Sequence, residues 1–151
     1  MSPSYGRASA LSVVAVLTVA VAAAPPAAAD VTDALRSAVS AARGAECPPL
    51  QVNPMVDQAA AAINATTDAW LNHASRAVPE TDALPVLHDL GYGGTKATIL
   101  SGAANQTANS IKAVLLQGFA KIPDCSYVDV GVSALYNAKK DMILTTVVLA
   151  A

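Results

Sequence analysis

The two cysteines of this chain lie in the two segments that most restrict its fold. The first segment, Cys47-Pro-Pro-Leu-Gln-Val-Asn-Pro54, is rich in proline and must stay extended until it enters a long stretch with helical periodicity. The second, Ile122-Pro-Asp-Cys-Ser-Tyr-Val-Asp-Val-Gly-Val132, is a polar turn followed by alternating valines, a pattern typical of a β-strand. The predicted order is therefore helix, extended link, long helix, loop, helix and hairpin, with one cysteine at each end of the body.

Residues 1–29 have the composition of a cleavable export signal. Arg7 precedes an almost wholly apolar run, Ala8 to Ala24, and the small residues that end the segment suit signal peptidase. We predict cleavage after Ala29, which leaves 30–151 as a single secreted or envelope-associated domain. The alternative is a retained membrane anchor, because about 17 apolar residues lie near the lower limit for crossing a bilayer.

The charge of the chain argues against nucleic acid as a partner. Its formal net charge is −2 at pH 7, and removal of the leader takes away one more positive charge, Arg7. Lys139-Lys140 is the only adjacent basic pair, so the sequence offers no basic stripe to neutralise phosphates. At 151 residues, one domain with a working core is expected.

Both cysteines fall in the exported part, and an even number in an oxidising compartment predicts a disulfide between Cys47 and Cys125. Closing so long a loop would stabilise the fold by about 4–5 kcal/mol in the chain-entropy description. The alternative, a metal or catalytic thiol, lacks a second ligand at Cys-x-x-Cys or Cys-x-x-His spacing.

The first two helices are predicted from apolar positions three and four residues apart. Thr32 is the predicted cap of the first helix, and Gly44 ends it. Asn53 is the predicted cap of the second, with Pro54 at its first position, where the missing N–H costs nothing. One apolar stripe follows the second helix: Val56, Ala59, Ala60, Ile63, Thr67, Trp70 and Leu71. In this interpretation Trp70 is a core residue.

Two shorter helices follow. Thr81 or Asp82 is the predicted cap of the third, which ends at the glycine-rich turn 91–94. The fourth is predicted to run from Ala104 to Gly118.

The last third of the chain changes to the period of a strand. Val128, Val130 and Val132 alternate with polar or small residues, and 143–149 is rich in β-branched side chains. The polar segment 137–141 between them predicts an antiparallel hairpin, and 97–100 predicts a further short strand. The fold class is therefore α+β, with helices packed on a small antiparallel sheet and a hairpin at the C-terminus.

The order of these elements resembles the CAP superfamily, the fold of cysteine-rich secretory proteins and plant pathogenesis-related proteins. The resemblance rests on short motifs of this sequence: Pro49 to Val56 as the link into the second helix, His73 after it, the Gly91-Tyr92 turn, Ile99 to Gly102 as a strand, and Tyr127 to Val132 as the last element. It implies an α-β-α sandwich over about 30–149. The chain as a whole also resembles small Ala-rich secreted proteins of high-GC actinobacteria such as mycobacteria, most of which have no assigned activity.

The sequence departs from this family at the residues that would hold a metal. The family cavity is typically lined by two histidines and two glutamates, but Ala97 stands in the position of the strand glutamate and Gly118 in that of the second histidine, with Phe119 following. No acidic residue occurs from 95 to 121, and His73 alone cannot hold zinc, which takes three or four protein ligands. We therefore predict no metal and no cofactor.

The remaining polar residues do not predict a catalytic site. His88 is adjacent to Asp89, and neighbours on a helix point about 100° apart, so they cannot form an orienting pair. Ser101-Gly102 is the nearest approach to a nucleophile elbow, but the Gly-x-Ser-x-Gly pattern is lacking. We expect binding rather than catalysis.

The resemblance implies a binding site at the rim of the family cavity, for which the candidate residues are Trp70, His73, His88 and Tyr92. The expected ligand is a lipid or another apolar small molecule, or else a protein of the envelope or of a host. The alternatives are a weak, metal-independent hydrolase that uses His73 and a purely structural secreted domain. An acid within reach of His73 would favour the hydrolase.

Overall fold

The fold was analysed in a computed structural model that describes residue 1 and residues 27–151. The predicted leader lies almost entirely outside the described residues. Its proposed cleavage point, after Ala29, falls in the first turn of the first helix. In chain order the elements are α1 (Ala28–Arg43), β1 (Gln51–Val52), α2 (Pro54–Leu71), α3 (Leu84–Asp89), β2 (Ala97–Ala104), α4 (Thr107–Gln117), β3 (Asp129–Asn137) and β4 (Met142–Ala150).

The four strands form one sheet in the order β1-β3-β4-β2. The predicted hairpin is confirmed, since β3 and β4 pair antiparallel from Asp129 opposite Ala150 to Asn137 opposite Met142. β2 pairs antiparallel with the other side of β4, whereas the two-residue β1 runs parallel to β3, so the sheet is mixed. The predicted α+β class is confirmed.

Helices cover both faces of the sheet. α1 and α4 pack on one face around a cluster that includes Leu35, Val39 and Val114. α2 and α3 pack on the opposite face, where Val56, Ile63 and other small or branched residues meet β4. These layers form the α-β-α sandwich that the resemblance implies.

Two glycines in the strands let helices approach the sheet closely. A Cβ atom on Gly131 would collide with the backbone of α2 at Val56, and one on Gly102 would collide with the α4 backbone at Ser110. Each glycine therefore removes the side chain that would hold a helix away from the sheet.

Several helix boundaries agree with the sequence and others do not. Asn53 caps α2 as predicted, because its side chain accepts a hydrogen bond from the N–H of Met55. Asp82 accepts a hydrogen bond from the N–H of Leu84, but the cap residue of α3 is Ala83, one residue after the predicted position. The prediction for Thr32 was wrong: α1 begins at Ala28, and the Thr32 hydroxyl donates to the Ala28 carbonyl inside the helix.

The fourth helix starts later than predicted. Ala104 belongs to β2, where it pairs with Ile143, and α4 begins only at Thr107. Alanine favours helices, but the backbone hydrogen bonds to β4 outweigh this local preference.

Candidate functional site

The long strands give the molecule two ends, and the predicted site residues are divided between them. We call the end with the start of β3 and the C-terminus of β4 the clamp end, because it carries the disulfide. The opposite end, where 138–141 connect β3 to β4, is called the hairpin end. The eight steps along β3 from Asp129 to Asn137 separate these ends by about 27 Å.

The disulfide at the clamp end is confirmed. Cys47 and Cys125 are bonded, with their Cα atoms 5.1 Å apart. The bond holds the link that precedes α2 against the turn that leads into β3, as the sequence predicts.

Arg43 adds a second fastening at the clamp end. Its side chain is 3% exposed, although it lies in the last turn of α1. The guanidinium donates to four backbone carbonyls, those of Pro48 (3.2 Å), Ile122 (2.7 Å), Asp124 (2.7 Å) and Tyr127 (2.8 Å). These bonds join α1 to both segments that the disulfide connects.

Tyr92 also lies at the clamp end, and its role there is structural. Its hydroxyl donates to the Asp129 carboxylate at 2.8 Å, and the same carboxylate accepts from the side chain of Asn53. Burial, reinforced by the hydrogen bond to Asp129 and by its negative charge, raises the pKa of Tyr92 to about 12. The contact joins the turn after α3 to the start of β3.

His88 lies on the same side of the molecule as Tyr92. It is exposed in the last turn of α3, and its Nε2 atom is 2.9 Å from the Gly94 carbonyl oxygen, which closes the turn 91–94. The ring therefore stabilises a local turn.

Trp70 and His73 lie at the hairpin end. The C-terminus of α2 is fixed there because Asn137, the last residue of β3, donates to the side chains of Asp68 and Asn72. His73 follows with a positive φ of 55°, and its ring is exposed. The structure therefore brings Trp70 close to His73 and His88 close to Tyr92, but it does not bring the two pairs together into one rim.

Trp70 is not a core residue. Its side chain is 43% exposed, so the interpretation as a core anchor was wrong. Residues seven apart share a helix face, which places Trp70 on the same face as the buried Ile63. The apolar stripe of α2 simply continues past the elements that cover it.

α3 has six residues and covers only part of the sheet face on which α2 packs. The covered part includes Val148 and Ala150 of β4. The other part stays open and forms a cavity of about 160 Å³ between α2 and the edge of the sheet. We call it the α2–β2 groove, and its lining is Asn64, Thr67, Ser101, Gly102, Ala103, Leu144, Thr145 and Thr146.

The chemistry of the groove suits binding rather than proton transfer. Its lining has hydroxyl, amide and methyl groups and no titratable side chain. Asn64 is committed to the fold, since it donates to the Leu144 carbonyl at 3.1 Å and to the Ser133 hydroxyl at 3.2 Å. The Thr67 hydroxyl donates to the Ile63 carbonyl within α2. Trp70 follows Thr67 by three residues on α2 and is not itself part of the lining.

A second cavity, of about 210 Å³, lies at the clamp end beside Arg43 and Tyr127. It is a weaker candidate, because the donors of its charged residue are already occupied by the carbonyls of the clamp.

The metal and catalytic predictions can be compared with the described part of the chain. Within it, no group of three or more His, Cys, Asp or Glu side chains is placed to hold a metal ion. Ala97 is the first residue of β2 and Gly118 the cap residue of α4, so neither position supplies a ligand. In 27–151 no ion pair joins His73 to a carboxylate, so the condition that would favour a hydrolase is not met. The absence of a metal stays a prediction.

Sequence reasoning missed most of the groove. Asn64 was the available clue, because an amide within an apolar helical stripe must find hydrogen-bond partners when it is buried. Thr145 and Thr146 gave a similar clue inside an otherwise apolar strand. Of the four proposed rim residues, His88 and Tyr92 lie at the clamp end and do not line the groove.

Searches with the sequence identify no relative: no protein-family profile and no curated protein sequence matches this chain. In the described part of the chain, no helix has the length and apolar character to span a bilayer. The fold, in contrast, is similar to those of solved structures.

An outer surface protein from Borrelia burgdorferi is similar to this chain with a TM-score of 0.63 and 11% identity, over 80% of this chain and 92% of that one. A cysteine-rich secretory protein from Staphylococcus aureus is similar with a TM-score of 0.57 and 12% identity, over 82% of this chain. The matched region is 38% of that longer protein. At these identities the likeness establishes a CAP-like fold and carries no residue roles.

Proposed function

We propose that this protein is an exported, non-catalytic binding domain, and that its α2–β2 groove holds a side chain of a protein partner outside the cytoplasm. The observation that carries the proposal is the open groove, whose lining has no titratable side chain. The half-exposed Trp70 supports it, because Trp70 lies three residues after the lining residue Thr67 on α2. Tryptophan is enriched among the residues that dominate binding energy at protein interfaces.

The volume of the groove favours a side chain over a lipid. An engineered cavity of about 150 Å³ in another protein holds one benzene molecule, and the groove measures about 160 Å³. A chain of some ten methylenes would leave most of its length in water and lose most of the roughly 0.8 kcal/mol that each buried methylene contributes. One aromatic or branched side chain fits the available space.

Export is supported by two independent features. The Cys47–Cys125 disulfide is typical of an oxidising compartment. The composition of 1–29 is that of a signal peptide. The Ala-rich sequence is the ground for expecting an actinobacterial source.

Site-specific photocrosslinking in the native host tests the proposal. The photoreactive residue p-benzoylphenylalanine replaces Thr67, which lines the groove, or Thr66, the exposed neighbour that points away from it. Both threonine hydroxyls donate to the Ile63 carbonyl, so the two replacements are matched in what they remove from α2. We expect a covalent protein adduct from position 67 that is absent from position 66.

A second substitution connects the adduct to the proposed contact. Trp70→Ser should reduce the yield of the position 67 adduct severalfold, because the aromatic part of the binding surface is lost. Equal adducts from both positions, or a position 67 adduct that contains only lipid by mass spectrometry, would refute the protein-partner proposal.

A further inference from the structure

We propose that the outer edge of β2 is an interface between two copies of this chain, which pair antiparallel about a two-fold axis at Ser101 and join the two sheets into one. The proposal does not depend on what the α2–β2 groove binds. It rests on the hydrogen-bonding edge of β2, its lack of charge and the apolar side chains beside it.

The edge of β2 has backbone groups that β4 does not use. Lys96 and Ala151 exchange both of their backbone hydrogen bonds, which fixes the alternation along the strand. In this register Ile99, Ser101 and Ala103 direct their N–H and C=O groups away from β4. Gln117 accepts from the Ser101 N–H through its side chain and covers that single position.

Edges of this kind are usually protected by charge, by proline or by being short. β2 has eight residues, and no charged residue or proline occurs from Ala97 to Ile111. The exposed half of β3 beyond β1 is different, because the Asp57 carboxylate accepts a hydrogen bond from the Val132 N–H and places a negative charge at that edge. Of these two edges, β2 is therefore the one open to another strand.

A second copy fits this edge better than an arbitrary strand. With the axis at Ser101, three of the four outward positions of β2 are used: Ser101 faces the partner's Ser101, and Ile99 faces the partner's Ala103. The large side chain thus meets the small one on both sides of the axis, and about six backbone hydrogen bonds form once the Gln117 side chain releases the Ser101 N–H. Two neutral edges meet without repulsion.

Exposed apolar side chains flank the same edge. Leu116 is 65% exposed and Phe119 78% exposed at the C-terminal end of α4. Their neighbours Gln117 and Gly118 contact β2 at Ser101 and Leu100. Pairing of two β2 strands brings the ends of both α4 helices to the seam on the same face of the sheet, where these side chains lose contact with water.

The pairing also changes the groove. Ser101 and Ala103 line it, and residues directly opposite in an antiparallel pair point to the same face. The two grooves therefore meet across the axis as one continuous trough.

Matched substitutions at Ser101 and Ser37 test the interface. Both serines are exposed, and Ser37 lies on α1 away from β2. For the exported protein, sedimentation equilibrium should show a monomer–dimer equilibrium. Ser101→Lys places like charges opposite each other and should raise the dimer dissociation constant about fivefold or more, whereas Ser37→Lys should leave it unchanged. Thermal melting of both variants checks that they fold.

A covalent test uses a smaller change. Ser101→Cys should form an intermolecular disulfide under mild oxidation, because directly opposite Cα atoms in such a pair lie about 5.5 Å apart. Ser37→Cys should not form one. The proposal would be overturned if the wild-type protein stayed monomeric up to its solubility limit, or if the Ser101 and Ser37 variants behaved alike. Binding of an extended peptide to the β2 edge, without binding of a second copy, would also overturn it. The two proposals can be told apart by the mass of the crosslinked product. A product of twice the chain mass reports pairing of two β2 strands, whereas a photocrosslinked product from position 67 that contains a different protein reports binding in the groove.

Discussion

Replacement of Arg43 by methionine should be among the most destabilising single changes in the chain. Arg43 is 3% exposed and donates to four carbonyl oxygens that belong to two separate loop segments. Methionine preserves much of the apolar stem but leaves those carbonyls without their donors.

The size of the loss follows from two opposing terms. Hydrogen bonds to a charged group contribute about 1.5–3 kcal/mol each, so four contribute on the order of 6–12 kcal/mol. Removing the ion also removes the cost of taking it out of water, which amounts to several kcal/mol. The net decrease in the free energy of unfolding should be about 3–5 kcal/mol for Arg43→Met. The stability of Arg43→Lys should lie between that of the wild type and that of Arg43→Met, because an ammonium lacks the fixed fork that reaches all four acceptors.

Urea unfolding followed by far-UV circular dichroism measures this loss, with the disulfide intact. Arg76→Met is the matched control, because Arg76 is exposed in the loop between α2 and α3. The control should change stability by no more than about 0.5 kcal/mol. If Arg43→Met and Arg76→Met had equal effects, the guanidinium would not be a fastening of the clamp end.

Two further predictions concern Tyr92 at the clamp end and Trp70 at the hairpin end. The pKa of Tyr92 is raised from 10.0 to about 12. Between these pH values the folded state keeps a proton that the unfolded chain has lost, so the free energy of unfolding should fall as the pH rises from about 10 to 12. Tyr92→Phe should show a shallower fall in denaturant titrations at each pH, and parallel curves would contradict the assignment. Trp70→Ala should cost about 1 kcal/mol or less, because the ring is half exposed, whereas Ile63→Ala on the same helix face should cost about 2–5 kcal/mol. A loss at Trp70 as large as that at Ile63 would restore the interpretation as a core residue.

Local chemistry made much of the frame predictable. Asn53 followed by Pro54 specifies the start of α2 through cap and ring geometry alone, and the alternating valines specify β3. The pairing of Cys47 with Cys125 followed from their number and their predicted compartment. The first two inferences depend on a few neighbouring residues, and the third depends only on the cysteine count.

The groove was not predictable, because it depends on contacts between segments that are distant in the sequence. Whether Trp70 is buried depends on which distant segments reach the C-terminal end of α2, and the periodicity of α2 carries no information about them. The predicted boundary between β2 and α4 was wrong for the same reason, because the partner of Ala104 is Ile143, which lies 39 positions later in the chain. Contacts between distant segments decided both outcomes.

The distance between the clamp end and the groove has a consequence for how such a domain can change over generations. Five residue steps along β4 separate Thr145 in the groove from Ala150 at the carboxyl end of the strand near the disulfide, a distance of about 17 Å. Substitutions more than about 10 Å apart that share no partner act additively on stability. Residues that line the groove can therefore change over generations while the disulfide and Arg43 preserve the frame.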